Sequence, residues 1–203
     1  KQVIVGGHHE LIVWDVATGK LVKRMRTRTE RAYGLAFLKD GLLAVAGGRP
    51  GQEGDVRIYD ITGDTPDGVS DPKVLVKHVF DTDDAVLCLA VNKDGTKLAA
   101  GGTDRLVRVW DVSKPSAPKL EQTIDNHADW VLGCCFTADG KFLLTAGRDK
   151  TAKVWDLTKK ESVLTMPEHQ AIVYGVASVG DGSKGFSVGA DKQLRIWKTT
   201  AEA

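Results

Sequence analysis

This 203-residue chain has almost no excess charge of either sign: 28 Lys/Arg stand against 27 Asp/Glu, a net charge of +1. That balance provides no long-range field to draw in nucleic acid or an anionic membrane. Long apolar runs are missing too, and stretches such as 41–48 and 85–91 fall far short of the roughly 20 residues of a membrane span. Cysteine is scarce and odd in number, three residues, with Cys134 and Cys135 adjacent. Neighbours on a strand point to opposite faces, so no disulfide framework is expected and the three read as small buried hydrophobes. An absence of staples fits a reducing compartment without requiring one. No segment sustains a 3.6-residue apolar period, which excludes amphipathic helices as the building block. There is no CxxCH haem site and no glycine-rich phosphate loop leading into a helix. Lys1 is not a start methionine, which leaves room for residues ahead of it.

Glycine, by contrast, is plentiful at 22 residues, as a chain with frequent tight turns requires. Residues 126–156, NHADWVLGCCFTADGKFLLTAGRDKTAKVWD, alternate apolar and polar side chains in runs at 131–136, 142–146 and 152–155. Ala138-Asp139-Gly140 and Gly147-Arg148-Asp149-Lys150 separate the runs, which predicts an antiparallel meander. His127, Thr145, Asp149 and Trp155 return 42 residues later as His169, Ser187, Asp191 and Trp197, with identical internal spacing. A fixed period of this size signals a repeat architecture. LIVWD, VRIYD, LVRVWD, AKVWD and LRIWK close the repeats near Trp14, Tyr59, Trp110, Trp155 and Trp197. Each full repeat also carries an Asp-Gly turn, at 40–41, 94–95, 139–140 and 181–182, predicted to supply the positive φ angles of a hairpin. The repeats are graded. The third has Thr82 and Ala100 at the His and Ser/Thr positions; the second has Tyr59 for Trp, a widened turn at 47–54 and a Pro/Gly/Asp-rich insertion at 62–73, predicted to lie on the surface.

HADWV…DG…LLTAGRDKTAKVWD and HQAIVYGV…DG…FSVGADKQLRIWK resemble WD-repeat β-propellers, and the resemblance spans essentially the whole chain. It implies an all-β fold of four-stranded antiparallel blades, about five of them, in a single domain over residues 1–203. Each repeat would supply strands d-a-b-c, with a innermost and d on the rim. Counting gives b-c-d, three sets of a-b-c-d and a final a-b-c, eighteen strands in all. The family closes its ring by pairing a terminal outer strand with the inner three from the other end. A chain running from b to c is therefore read as a fragment of a seven-bladed ring, with a complete five-bladed ring as the alternative. Open blade edges would favour self-association. IDNHADWVLGCCFTADGKFLLTAGRDKTAKVWD and LAVAGGRPGQEGDVRIYD are also similar to WD-repeat proteins of planctomycete bacteria, many of them attached to a c-type cytochrome module. That narrower resemblance implies a periplasmic setting, against a cytoplasmic one for a bare scaffold.

In the family pattern the Trp ring nitrogen donates to the Ser/Thr hydroxyl, the hydroxyl bonds the His, and the His bonds the Asp of the b–c turn. A buried Asp requires such partners, so both quartets are read as structural. A Ser/His/Asp set also suggests a hydrolase, but one copy carries Thr and the set recurs, whereas a catalytic triad is made once beside an oxyanion hole. His8-His9 and His78 lack a second ligand at metal spacing; they are read as a solvated turn and a rim strand. No catalytic residue, metal or cofactor is assigned.

Function is expected where the d–a loops and b–c turns emerge together. The family's contact positions lie three and five residues after the His and one before the turn Asp. They imply Trp130, Leu132 and Arg148 in the fourth repeat, and Ile172, Tyr174 and Ala190 in the fifth. The third gives Ala85, Leu87 and Thr103, and the second gives Arg31 and Tyr33, with Arg49 beside the widened turn. Trp, Tyr and Arg dominate binding hot spots; packing between blades is the alternative, for Tyr33 and Leu132 especially. The expected role is a non-catalytic scaffold for a protein or peptide, without nucleic acid or membrane insertion. The alternative is an accessory docking propeller of a c-type cytochrome redox protein.

Overall fold

The computed structural model describes residues 1–62, 69–70, 75–125, 127–167 and 169–199, with only the backbone of 69–70 and 75–78. Every helix or strand among them is a strand, and none is a helix long and apolar enough to cross a membrane. The chain divides into two compact units, Lys1–Val86 and Leu87–Ala203.

Unit 1 contains β1 (Gln2–Gly6), β2 (His8–Asp15), β3 (Leu21–Phe37), β4 (Leu42–Arg49), β5 (Glu53–Asp60), β6 (Val69–Ser70) and β7 (Leu75–Thr82). They pair in the order β1-β2-β3-β4-β5-β7. The expected d strand of the first repeat and a strand of the second are one continuous strand, β3. Its first part pairs with β2 as far as Arg31, and from Ala32 onward it pairs with β4. Residues 27–32, TRTERA, contain neither Gly nor Pro nor a turn dipeptide, so nothing breaks the extended backbone where it passes between ladders. Within the expected surface insertion, β6 pairs parallel with Arg24 and Met25 of β3; 63–68 and 71–74 lie outside the described residues. The core of this unit is Leu11, Val13, Met25, Leu43, Val45 and Tyr59.

Unit 2 begins within β8 (Val86–Val91), which joins β9 (Lys97–Gly102), β10 (Leu106–Asp111) and β11 (Lys119–Asp125) in a four-stranded antiparallel sheet. A second such sheet holds β12 (Val131–Phe136), β13 (Phe142–Gly147), β14 (Ala152–Asp156) and β15 (Glu161–Met166). A third has β16 (Val173–Ser178), β17 (Lys184–Gly189) and β18 (Leu194–Lys198). The described elements equal the expected eighteen in number but not in kind, because β3 merges two strands and β6 adds one.

Alternation along the strands fills the space between the sheets of unit 2. Cys134 packs with Cys88, Ala99, Val109 and Leu143, whereas its neighbour Cys135 packs with Leu144, Val154 and Trp197. The two cysteines therefore serve opposite faces of one sheet. All three are free thiols, Cys88 fully buried and the others partly so, and burial pushes the Cys135 thiol up to about 12. The inner strands β12 and β16 approach so closely that a Cβ at Gly133 would lie 3.1 Å from the Gly175 Cα.

Polar side chains close the turns. Asp15, Asp60, Asp111 and Asp156 end successive c strands, and each accepts the N–H and hydroxyl of a nearby Thr18, Thr62, Ser113 or Thr158. The hydroxyl bonds hold these carboxyls below their ordinary range. The Asp-Gly turns differ from expectation. Asp40 and Gly41 both have positive φ, but in the three later turns only the glycine does. There Asp94, Asp139 and Asp181 instead accept the N–H two residues on. Truncating the fully buried Leu144 to Ala is expected to cost about 2–5 kcal/mol, read as a lowered denaturant midpoint at unchanged slope.

Candidate binding face and the bonds that support it

In the fourth repeat the His127 ring is buried between loop, strand and turn. Its Nδ1 lies 2.9 Å from Asp149 Oδ2 and its Nε2 lies 2.7 Å from the Thr145 hydroxyl. An ionised carboxylate only accepts, so Nδ1 donates to Asp149 and the Thr145 hydroxyl donates to Nε2. Asp149 also accepts the Ala128 N–H at 3.0 Å, the Thr151 N–H at 3.1 Å and the Thr151 hydroxyl at 2.7 Å. Burial alone would raise the Asp149 carboxyl; the His127, Thr151 and Ala128 donors outweigh it and hold the group well below the usual carboxylate range. The fifth repeat copies this arrangement. His169 is 2.9 Å from Asp191 and 2.8 Å from the Ser187 hydroxyl, and Gln170 N–H donates to the same carboxylate at 3.1 Å. Burial again opposes, and the Gln193, Gln170 and His169 donors again prevail, lowering the Asp191 carboxyl.

The fourth member of the quartet separates the two copies. Trp197 Nε1 donates to the Ser187 hydroxyl at 3.3 Å, completing Trp–Ser–His–Asp. Trp155 does not reach Thr145. Its Nε1 donates to Gln122 Oε1 of β11 at 3.1 Å, and Gln122 Nε2 donates to the Leu157 carbonyl at 2.8 Å. The cause lies on the neighbouring strand. Trp197 pairs with Gly185 and its ring lies directly on that residue, 2.4 Å from where a Cβ would stand. Trp155 pairs with Leu143, whose buried side chain fills the same space. The expected tetrad is thus complete in the fifth repeat and a triad in the fourth, where the indole ties one sheet to its predecessor. Ser187 is buried with its hydroxyl between the indole and the imidazole, an arrangement that builds a blade and leaves no accessible nucleophile.

The two full repeats without a His pair an Asp with an arginine that sequence reasoning missed, Asp104 in the third repeat's turn and Asp55 within β5 of the second. In the second, Arg57 Nε is 2.5 Å from Asp55 and the Thr29 hydroxyl donates to Asp55 at 2.6 Å. In the third, Arg108 Nη1 is 2.6 Å from Asp104. The available signal was the basic residue two before four of the five terminal aromatics, Arg57, Arg108, Lys153 and Arg195. A polar cleft of about 340 Å³ adjoins Asp55, Arg57, Glu30 and Asp81. Three of its carboxylates have cationic partners, Asp55 and Asp81 in Arg57 and Glu30 in Arg49. Among the described residues no three His, Cys, Asp or Glu gather as a metal-ligand set. His8 and His9 are exposed, and they open β2 at a ladder irregularity instead of lying in a turn. The His78 side chain lies outside the described residues, although its backbone is in β7.

These bonds hold the candidate contact residues in place. The residue before the turn Asp donates its N–H to the carbonyl three after the His: Arg148 to Trp130 and Ala190 to Ile172, each at 2.8 Å. The Arg148 guanidinium then lies 4.7 Å from the Trp130 ring centroid, with its Nε 3.6 Å from Asp129. Tyr33, Leu132 and Tyr174 each fall at a shift of register in the innermost strand. A bulge re-aims its extra side chain out of the ladder; accordingly Tyr33 and Tyr174 are exposed, whereas Leu132 is partly buried. Arg31 is exposed at the junction of the two β3 ladders, Ile172 and Leu87 are partly buried, and Ala190 is exposed. Arg49 is half exposed, yet Glu30 and Gln52 hold its guanidinium. Ala85 and Thr103 are buried, which corrects the expectation that the third repeat presents them.

Recurrent antiparallel sheets with loop and turn bound through a buried His–Asp pair define a blade-repeat protein. Three of the repeats, at 73–111, 118–156 and 160–198, match the family described as WD domain, G-beta repeat. The chain belongs to this WD-repeat family. It is 32% identical over 136 residues to "Transcription factor unc-37" of Caenorhabditis elegans, covering 66% of this chain and 20% of that protein. Among solved structures it is similar to a chain in a crystal structure of a mitotic checkpoint complex, with a TM-score of 0.81 and 22% identity. That match covers 98% of this chain and 60% of the other, and it establishes the β-propeller fold. The chain thus spans about one-fifth of the curated relative's length. The curated relative comes from a nematode, and neither name mentions a cytochrome, so the bacterial, cytochrome-linked affiliation gains no support.

Two outcomes follow from this geometry. A depressed carboxyl contributes stability that is complete above the unfolded value, near pH 3.9, and is lost as pH falls through the folded value. Thermal stability should therefore fall steeply below about pH 4, and Asp149→Asn should flatten that slope in a pH series of melting curves. Gly185→Ala should drive the indole off Ser187 and cost about 1–3 kcal/mol, seen as loss of the Trp197 indole N–H resonance from its hydrogen-bonded position.

Proposed function

We propose that this chain is a non-catalytic binding module. It captures a segment of another protein at the end of the unit 2 sheets where the d–a loops meet the b–c turns. The observation that carries the reading is the pairing of a fixed Trp130–Arg148 stack with Tyr174, which is 58% exposed at its bulge. Aromatic and arginine anchors of this kind dominate interface energetics. A platform fixed before the partner arrives loses little side-chain freedom on binding.

Charge supports an acidic segment as the partner. The b–c turns of unit 2 place Arg105, Lys150 and Lys192 at equivalent positive-φ positions, all exposed, with Arg148 beside them. The turn carboxylates Asp104, Asp149 and Asp191 are meanwhile occupied by Arg108 and the two histidines. In unit 1, Arg31, Tyr33 and Arg49 offer a similar set of residue types on its own sheets. The names of the relatives, a transcription factor and a member of a multi-protein complex, agree with a role in assembly. No described residue and neither relative favours the cytochrome-docking alternative.

The test begins with peptides selected from a random display library on the immobilised chain. Their affinity is then measured for the parent and for Trp130→Ala and Tyr174→Ala. Each substitution should weaken binding at least about tenfold while circular dichroism stays unchanged. Affinity should also fall as salt is raised, because surface charge pairs are screened. Unchanged affinity in folded variants would remove this end of the blades from consideration.

A further inference from the structure

The fourth and fifth repeats share one loop–turn joint but not one set of side chains. In both, the residue before the turn Asp donates its N–H at 2.8 Å to the carbonyl three residues after the His. The His–Asp bond is 2.9 Å in each. The fifth repeat builds this joint with Ala171, Ile172 and Ala190. At the same three positions the fourth has Asp129, Trp130 and Arg148. A joint that forms with two alanines and an isoleucine does not demand an acid, an indole and a guanidinium. Those three side chains therefore serve something other than the blade.

They also hold one another. One Asp129 oxygen accepts the Trp130 N–H at 2.8 Å, and the other lies 3.6 Å from Arg148 Nε. The Arg148 guanidinium carbon is 4.7 Å from the Trp130 ring centroid, so the indole covers one face of the cation. With a face taken by Trp130 and the Nε side by Asp129, the end carrying Nη1 and Nη2 remains. Among the described residues no bond engages that end, and the Arg148 side chain is 46% exposed. Two parallel N–H donors on a planar edge match the two oxygens of a carboxylate. An ammonium in the same place would supply the charge without the fork.

We infer that Arg148, held by Asp129 and Trp130, grips the side-chain carboxylate of an Asp or Glu in the captured segment, end-on through Nη1 and Nη2. This rests on the binding reading above and narrows it, from an acidic segment in general to one acidic residue at a fixed place. Arg148 determines specificity. Asp129 is a positioning residue that acts through Arg148, and the fifth repeat, with Ala190 and Ala171 in their places, offers no second grip of this kind.

Two peptide display libraries test it, one of unrestricted sequence and one lacking Asp and Glu, each panned on the immobilised chain. Binders should come from the first and carry an acidic residue at one recurring position. They are then synthesised with an amidated C-terminus, once with that residue and once with Asn or Gln in its place. Loss of the carboxylate should weaken binding to the parent at least about tenfold. It should change affinity for Arg148→Lys little, because the fork is already gone. Asp129→Asn should reduce this coupling while circular dichroism stays unchanged. Arg148→Ala, which matches the fifth repeat, serves as a second variant should Arg148→Lys fail to fold. Equal losses in the parent and in Arg148→Lys overturn the inference, and so do equally tight binders from the acid-free library. Either result beside a tenfold loss in Tyr174→Ala leaves the binding reading standing, whereas an absence of binders from both libraries removes reading and inference together.

Discussion

A ring N–H donated to a buried carboxylate, from His127 to Asp149 and again from His169 to Asp191, is the bond on which the rest of unit 2 relies. It joins a loop arriving from the outer strand to a turn between two inner ones, segments that share no ladder. Among the described residues one backbone bond joins them in each copy, Arg148 to Trp130 or Ala190 to Ile172. The imidazole adds a second tie, and the carboxylate extends it through the loop N–H of Ala128 or Gln170. Removing one partner would strand the other without water, the costly form of losing a hydrogen bond.

The second and third repeats meet the same electrostatic demand differently. Asp55 within β5 of the second and Asp104 in the turn of the third each take an arginine from their own c strand, Arg57 or Arg108. A guanidinium satisfies the charge as well as an imidazole does. In the third repeat the arginine lies four residues along the same hairpin from its carboxylate. Ala85 and Thr103 are buried there, whereas Tyr174 of the fifth repeat is exposed.

Much of this was legible in the residues. Period-2 alternation and Asp-Gly punctuation placed β12, β13 and β14 to within a residue, because a half-buried strand can satisfy its faces in only one register. The resemblance to the WD-repeat pattern implied both imidazole bonds, and the structure has them. What escaped was decided between segments rather than along them. The destination of the Trp155 indole turns on whether Leu143 or a glycine stands opposite, and the polar groups of Gln122 lie on another sheet. The continuity of β3 was hidden for the opposite reason: two ladders were expected, and nothing in TRTERA marks where one yields to the next. Among the expected contact positions Tyr174 and Tyr33 are exposed at bulges, whereas Ala85 and Thr103 lie flush in the packing.

The bulges at Tyr33, Leu132 and Tyr174 carry a consequence for how such a chain diversifies. A residue outside the ladder has no partner whose register it must preserve, so its side chain can be exchanged without shifting the strand that bears it. Two such positions lie in unit 2 and one in unit 1, and single substitutions there leave the imidazole–carboxylate joints as they are.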